Sequence, residues 1–171
     1  MNLLGIDFED WYHPELIQPY VTNVKKTPKV INGIDKILNW LQTNEIFATF
    51  FMVGELLEHK PELLDKILDG GHEIAFHTMN HTRIDSKNFR NTFEQEIETF
   101  SKLTSGKSKG FRAPSLSLNK KSSWVIDSLE KYDYKYDSSI ISAKTHLYGV
   151  PSADLKPYKI SQHSINKNDP N

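Results

Sequence analysis

Two histidines four residues apart, in the run His77-Thr-Met-Asn-His81, could hold one metal ion through neutral imidazoles. Taken alone, such a pair fits two polar loop residues equally well. An acidic run near the amino terminus, Asp7-Phe8-Glu9-Asp10, adds carboxylates. Strand alternation puts Asp7 and Glu9 on one face, with Asp10 just beyond, where the chain turns. Carboxylates crowded this closely repel unless a cation neutralises them, and a metal together with Arg112 would do so. A solvated acidic loop is the other reading of the run. Two imidazoles with one carboxylate would leave coordination positions open for water and substrate, as in catalytic rather than structural sites. Trp11, next to the acids, either lines a binding groove or packs into the core. His72 opens a strand after a glycine pair and reads as structural, while His13, His59 and His146 lack partners at ligand spacing and read as surface residues.

Bulk properties remove several alternatives. At 171 residues the chain is long enough for one domain with a real core, taken here as residues 1–171. The 21 Lys and Arg balance 22 Asp and Glu, so no global field favours nucleic acid. With no cysteine, thiolate ligands, a thiol nucleophile and a disulfide framework are all excluded. The amino-terminal run from Met1 to Asp7 lacks the cationic start of a secretory signal, and no apolar stretch approaches a membrane span. A cytoplasmic protein is the expectation.

The elements that would carry these residues alternate between two periods. Leu3 to Ile6 and Ile46 to Val53 read as buried strands. Between them, Ile34, Ile37, Leu38 and Leu41 recur at the spacing of one helical face within Ile31 to Gln42. Pro61 opens and Gly70-Gly71 closes a second helix, followed by a strand from His72 to Phe76. Phe89, Phe93, Ile97, Phe100 and Leu103 predict a helix over 88–103, Gly110 to Arg112 a strand, 121–132 a helix and 135–140 a strand. Repeated βα units imply a parallel sheet, either doubly wound or a (β/α) barrel. The polar clusters fall at the carboxyl ends of strands, the rim where barrel enzymes work, which favours the barrel. Beyond about residue 144 the chain reads as loop.

Taken jointly, Asp7-Phe-Glu9-Asp10-Trp11, Thr49-Phe50-Phe51, Gly71-His72-Glu73 through His77 and His81, Phe111-Arg112-Ala113-Pro114-Ser115 and Tyr136-Asp137-Ser138-Ser139 resemble the polysaccharide deacetylase family. This is the NodB-homology domain, or carbohydrate esterase family 4, and the resemblance is to the branch with Asp-x-Glu-Asp-Trp in its first motif. The resemblance implies a distorted (β/α) barrel, here incomplete at its C-terminal end. It also implies one divalent metal, Zn2+, and an N-acetylated carbohydrate substrate. Carried over, Asp7 would be the general base, His77 and His81 the imidazole ligands, and Glu9 or Asp10 the acidic ligand, with Glu9 favoured. Arg112 would orient Asp7, Pro114 and Ser115 would contact substrate and oxyanion, and Asp137 would tune a histidine acting as general acid. The family's late histidine motif has no clear match. Ile160-Ser161-Gln162-His163 has its spacing but lies in the loop-like tail, so the acid is expected beyond residue 171.

Overall fold

The computed structural model describes residues 3–169. Met1 and Asn2 of the amino-terminal run, and Pro170 and Asn171 of the tail, lie outside the described residues. Five parallel strands, β1 (Gly5–Phe8), β2 (Thr49–Met52), β3 (Glu73–Phe76), β4 (Gly110–Phe111) and β5 (Tyr136–Asp137), lie side by side in chain order. Helices α1 (Ile34–Thr43), α2 (Gly54–His59), α3 (Glu62–Asp69), α4 (Arg90–Leu103) and α5 (Val125–Lys131) connect them. A doubly wound sheet reverses its strand order at a switch point; this one does not, and sequential order is that of a barrel wall. A complete (β/α) barrel has eight strands, and among the described residues β1 and β5 are the edges of a five-stranded sheet.

Strand β1 begins two residues later than the apolar run that announced it. Its ladder opens with Gly5 opposite Thr49 and carries Asp7 opposite Phe51, so Asp7 belongs to the strand rather than to the turn after it. Leu3 stays 81% exposed because it precedes this pairing. Gly5 is required by a close approach: a Cβ there would lie 2.7 Å from an Arg112 guanidinium nitrogen and 2.9 Å from the Phe51 ring. The first strand thus leaves room for the arginine of the fourth.

Strands β2 and β3 are buried on both faces, as parallel strands flanked by helices must be. Helix α4 turns Phe93, Ile97 and Phe100 inward. Phe100 meets Phe76 of β3 at 4.7 Å between ring centroids, and Phe93 meets Phe111 of β4 edge-on at 5.7 Å. Such aromatic pairs add about 0.5–1.5 kcal/mol each beyond area burial. They lock together the two strands that lead into His77 and Arg112.

Helix α2 was not expected from periodicity, since six residues with buried Leu56 and Leu57 make less than two turns of pattern. Its first amides matter to the site. The Gly54 amide donates to the Thr78 carbonyl at 3.0 Å and the Glu55 amide to the Met79 carbonyl at 2.9 Å. A Cβ at residue 54 would sit 3.3 Å from the Met79 Cα and closer still to its sulfur, so glycine lets the helix start press against the loop after β3. From 144 to 169 the chain forms no helix or strand, as its composition suggested.

Candidate functional site

The ends of β1, β3, β4 and β5 converge at one end of the sheet. After β1 comes Glu9 and after β3 come His77 and His81; one ligand-type atom of each lies within 4.8 Å of the others. Both imidazoles are buried. Arg112 follows β4, and Asp137 ends β5.

The histidine loop is strained and firmly held. Thr78 and His81 both adopt left-handed backbone conformations, at φ 58° and 54°. Non-glycine residues pay of order 1–3 kcal/mol for sparsely populated conformations and keep them only where surroundings enforce them. The enforcement comes from the two α2 amides, from the His77 amide donating to Met52 O at 3.0 Å, and from Glu96 of α4. The Glu96 carboxylate accepts the Met79 amide at 2.8 Å, and burial raises its pKa.

His77 Nδ1 lies 2.6 Å from the Arg112 carbonyl, so it carries the proton and donates it, which leaves the Nε2 lone pair free to bind a metal. Burial pushes the His77 pKa down to about 4, against the pull of Asp7. The ring is therefore neutral at physiological pH. His81 Nε2 approaches Glu9 Oε2 at 2.5 Å, yet among the described residues neither Oε2 nor the buried His81 Nδ1 has a geometrically sound hydrogen-bond partner. A carboxylate oxygen and an imidazole nitrogen brought this close need a shared cation or proton. The donor set fits a divalent metal. Burial works to raise the Glu9 pKa, but the adjacent His81 and the charges of His77 and His13 outweigh it, and the net shift is downward.

Asp10, the other candidate for the acidic position, is directed away from this cluster. Its buried carboxylate accepts the backbone amides of Trp11 and Val30, each at 2.8 Å, and that of Lys29, pinning the loop after β1. With both oxygens engaged in this way, it closes a loop instead of facing the histidines. His13 also departs from its reading as a surface residue. It is buried, accepts the Asp10 amide at Nδ1, donates from Nε2 to Glu55 at 2.8 Å and stacks on His81 with ring planes 21° apart. Glu55 takes a second bond from the Tyr12 hydroxyl at 2.7 Å. Glu55 and Glu96 were not singled out in the sequence, because neither lies in a motif and only the tertiary contacts bring them to the loop.

Arg112 donates to Asp7 Oδ1 at 2.6 Å while its other nitrogens bond the Ser138 carbonyl and hydroxyl, and its guanidinium packs 3.9 Å from the Phe51 ring centroid. Asp7, 40% exposed, stands at the open side with its second oxygen unclaimed by Arg112. Asp137 bonds the amide and hydroxyl of Ser139, which in turn accepts the Ala113 amide at 2.7 Å. Burial raises the Asp137 pKa to about 6, opposed by the Ser139 bonds and by Arg112. Its bonds among the described residues thus run toward the Pro114 turn instead of to a histidine. In that turn Ser115 and Leu116 are both left-handed, at φ 52° and 48°, and the Leu116 amide is taken by Ala113 O. Trp11 is half-exposed with its indole N–H on Thr27 O at 3.3 Å. His163 is exposed, in a tail turn capped by Ser161.

These shifts predict a pH dependence for the metal-free protein. An unfolded histidine titrates near 6.5, so the stability tied to neutral His77 is full above that value and is lost as pH falls toward 4, by on the order of 3 kcal/mol at most. The depressed Glu9 acts in the same direction at lower pH, below its ordinary carboxylate range. Asp137 acts oppositely: its contribution is present at low pH and is lost as pH rises through about 6. Urea midpoints between pH 7 and 4.5 should therefore fall less steeply in His77→Gln than in the wild type. Parallel curves would show that His77 is not the group being protonated.

A polysaccharide deacetylase family model matches residues 28–136. A peptidoglycan-N-acetylglucosamine deacetylase of Bacillus cereus is 32% identical over 82 residues, which are 46% of this chain and 30% of that protein. Among solved structures, a family 4 carbohydrate esterase from Streptomyces lividans in complex with acetate superposes with a TM-score of 0.57 at 20% identity, covering 78% of this chain and 60% of that one. A family 4 pseudoenzyme from Bacillus anthracis gives a TM-score of 0.57 at 16% identity, covering 79% of this chain and 41% of the other. The chain thus spans less than a third of the length of that curated relative, and the structural likenesses establish a shared fold. The family match covers the stretch from before α1 through the first residue of β5, the part that carries both histidines and Arg112, and so this chain belongs to the polysaccharide deacetylase family.

Proposed function

We propose that this chain is a catalytic domain that hydrolyses the N-acetyl group of an amino sugar within a glycan or glycan precursor, using one divalent metal, Zn2+, held by Glu9, His77 and His81. The observation that carries the reading is the convergence of those three ligand atoms beside an arginine-tethered Asp7 on the open side. When bound, such a metal lowers the pKa of water and polarises the acetamide carbonyl. Asp7 has the task of taking the proton of the attacking water. Arg112 holds one of its oxygens and leaves the other to accept that proton. The Ser115 amide is the proposed donor to the developing oxyanion, since Leu116 spends its own within the turn. Trp11, half-exposed in the loop after β1, would give the sugar ring an apolar face.

A second reading is supported by His163, which lies in the tail and, among the described residues, is bonded within its own turn. Without an imidazole to protonate the leaving nitrogen, the chain would bind metal and glycan without turnover, as a pseudoenzyme. Metal stoichiometry measured alongside acetate release from N-acetylglucosamine oligomers separates the two. One metal per chain with acetate released is the expected result; one metal without acetate would overturn hydrolysis in favour of binding.

A further inference from the structure

A groove of about 680 Å³ opens between the segment leading into α4 and the segment leading into α5, and none of the proposed catalytic residues lines it. Its walls include Asp85 and Arg90 from the connection after β3, and Asn119, Lys120, Lys121 and Trp124 from the connection after β4. These connections leave the same strands that lead into His77 and Arg112, so the groove lies on the rim that carries the proposed metal ligands. Its near wall is braced toward the catalytic loops: Arg83 bonds Asp85 at 2.9 Å and reaches Glu15, beyond β1, at 3.0 Å, while Asn119 donates to Asp85 at 3.1 Å.

The charge of the groove is one-sided. Arg83 neutralises its one carboxylate, Asp85, whereas Arg90, Lys120 and Lys121 have no carboxylate partner among the described residues. Arg90 is held over the Trp124 indole, 5.6 Å from its centroid, and Trp124 is itself wedged edge-on against Phe93 at 5.4 Å. The part of the half-buried indole that Arg90 leaves uncovered gives an apolar contact to a sugar ring, and three cations without a carboxylate partner among the described residues suit an anion. The geometry points to this groove as a second glycan subsite that takes a sugar unit bearing a negative charge, a carboxylate or a phosphate, while an N-acetylated unit of the same glycan occupies the metal site. The inference rests on the glycan reading above for its sugar, but its readout is binding and requires no turnover.

Calorimetric titration of the full chain, metal-loaded and after chelation, tests it with four probes: N-acetylglucosamine 1-phosphate, a disaccharide of glucuronate and N-acetylglucosamine, the neutral N-acetylglucosamine disaccharide, and inorganic phosphate. At least one sugar anion should bind about tenfold or more tightly than the neutral disaccharide, as expected for a charge-assisted contact. That advantage should survive chelation, shrink with added salt and vanish in the Lys120→Gln/Lys121→Gln variant, whose two changes are at exposed positions. Which sugar anion binds distinguishes a uronate from a phosphate as the natural group. Three results would each overturn the subsite: a neutral disaccharide binding as well as the anions, inorganic phosphate binding as well as the sugar anions, or an advantage that persists in the double variant or is lost with the metal. Failure of acetate release alone, with the anion preference intact, would sink the hydrolase reading and leave this one standing.

Discussion

Replacing His77 or His81 by alanine should lower kcat/KM for acetate release by at least about 10³-fold and remove the bound metal, because each change leaves only two protein ligands for a divalent ion. The two variants should differ in their side effects. His77 also donates to the Arg112 carbonyl, so its loss frees a buried acceptor at the end of β4, at a cost of about 1–3 kcal/mol. His81 has no such bond at Nδ1, and its left-handed backbone suits alanine no better, so its stability cost should come from lost packing against His13 and His77. Metal analysis by atomic emission, with urea midpoints as the control for folding, checks both. A full complement of metal in both variants would mean that the ion binds elsewhere.

Asp7→Asn should reduce kcat by about 10²–10⁴-fold, the usual contribution of a general base, while leaving metal stoichiometry unchanged. Asparagine has nearly the same shape, and its carbonyl oxygen can still accept the Arg112 bond, but it cannot take a proton from water. The loss should fall on kcat with little change in KM, since the proton moves only in the transition state. A merely structural Asp7 would give a different signature: reduced metal content or a shifted urea midpoint, with kcat per metal-loaded molecule nearly intact. A kcat within tenfold of the wild type would assign the base role to another group.

Much of the architecture could be read in the linear chain because it rests on local periodicity. Residues spaced three and four apart announced α1 and α4, Pro61 and the Gly70-Gly71 pair bracketed α3, and the runs before His77 and Arg112 announced β3 and β4. The exceptions follow from the limits of that signal. Helix α2 is too short for a period to register, and β1 took its boundary from the ladder that β2 offered, since hydrogen-bond register outweighs the composition of a four-residue run. The choice between a doubly wound sheet and a barrel wall needed the strand order, which no single segment contains.

The amino-acid sequence by itself determined which residues were available for chemistry: an acidic run, a pair of histidines four apart, an arginine before a proline, and no thiol. Only the tertiary structure decided which way they point. Glu9 approaches His81 while Asp10 turns back to cap backbone amides, although the two are adjacent and chemically alike, because the hydrogen bonds of Lys29 and Val30 claim one and not the other. His13 is buried on Glu55, and the loop from His77 to His81 is held in its strained course by Glu55, Gly54 and Glu96, from helices that no motif links to it. Ligand type is a property of a side chain and can be read locally. Ligand direction depends on which distant donors satisfy the neighbouring polar groups, and that is settled only when the strands pack side by side.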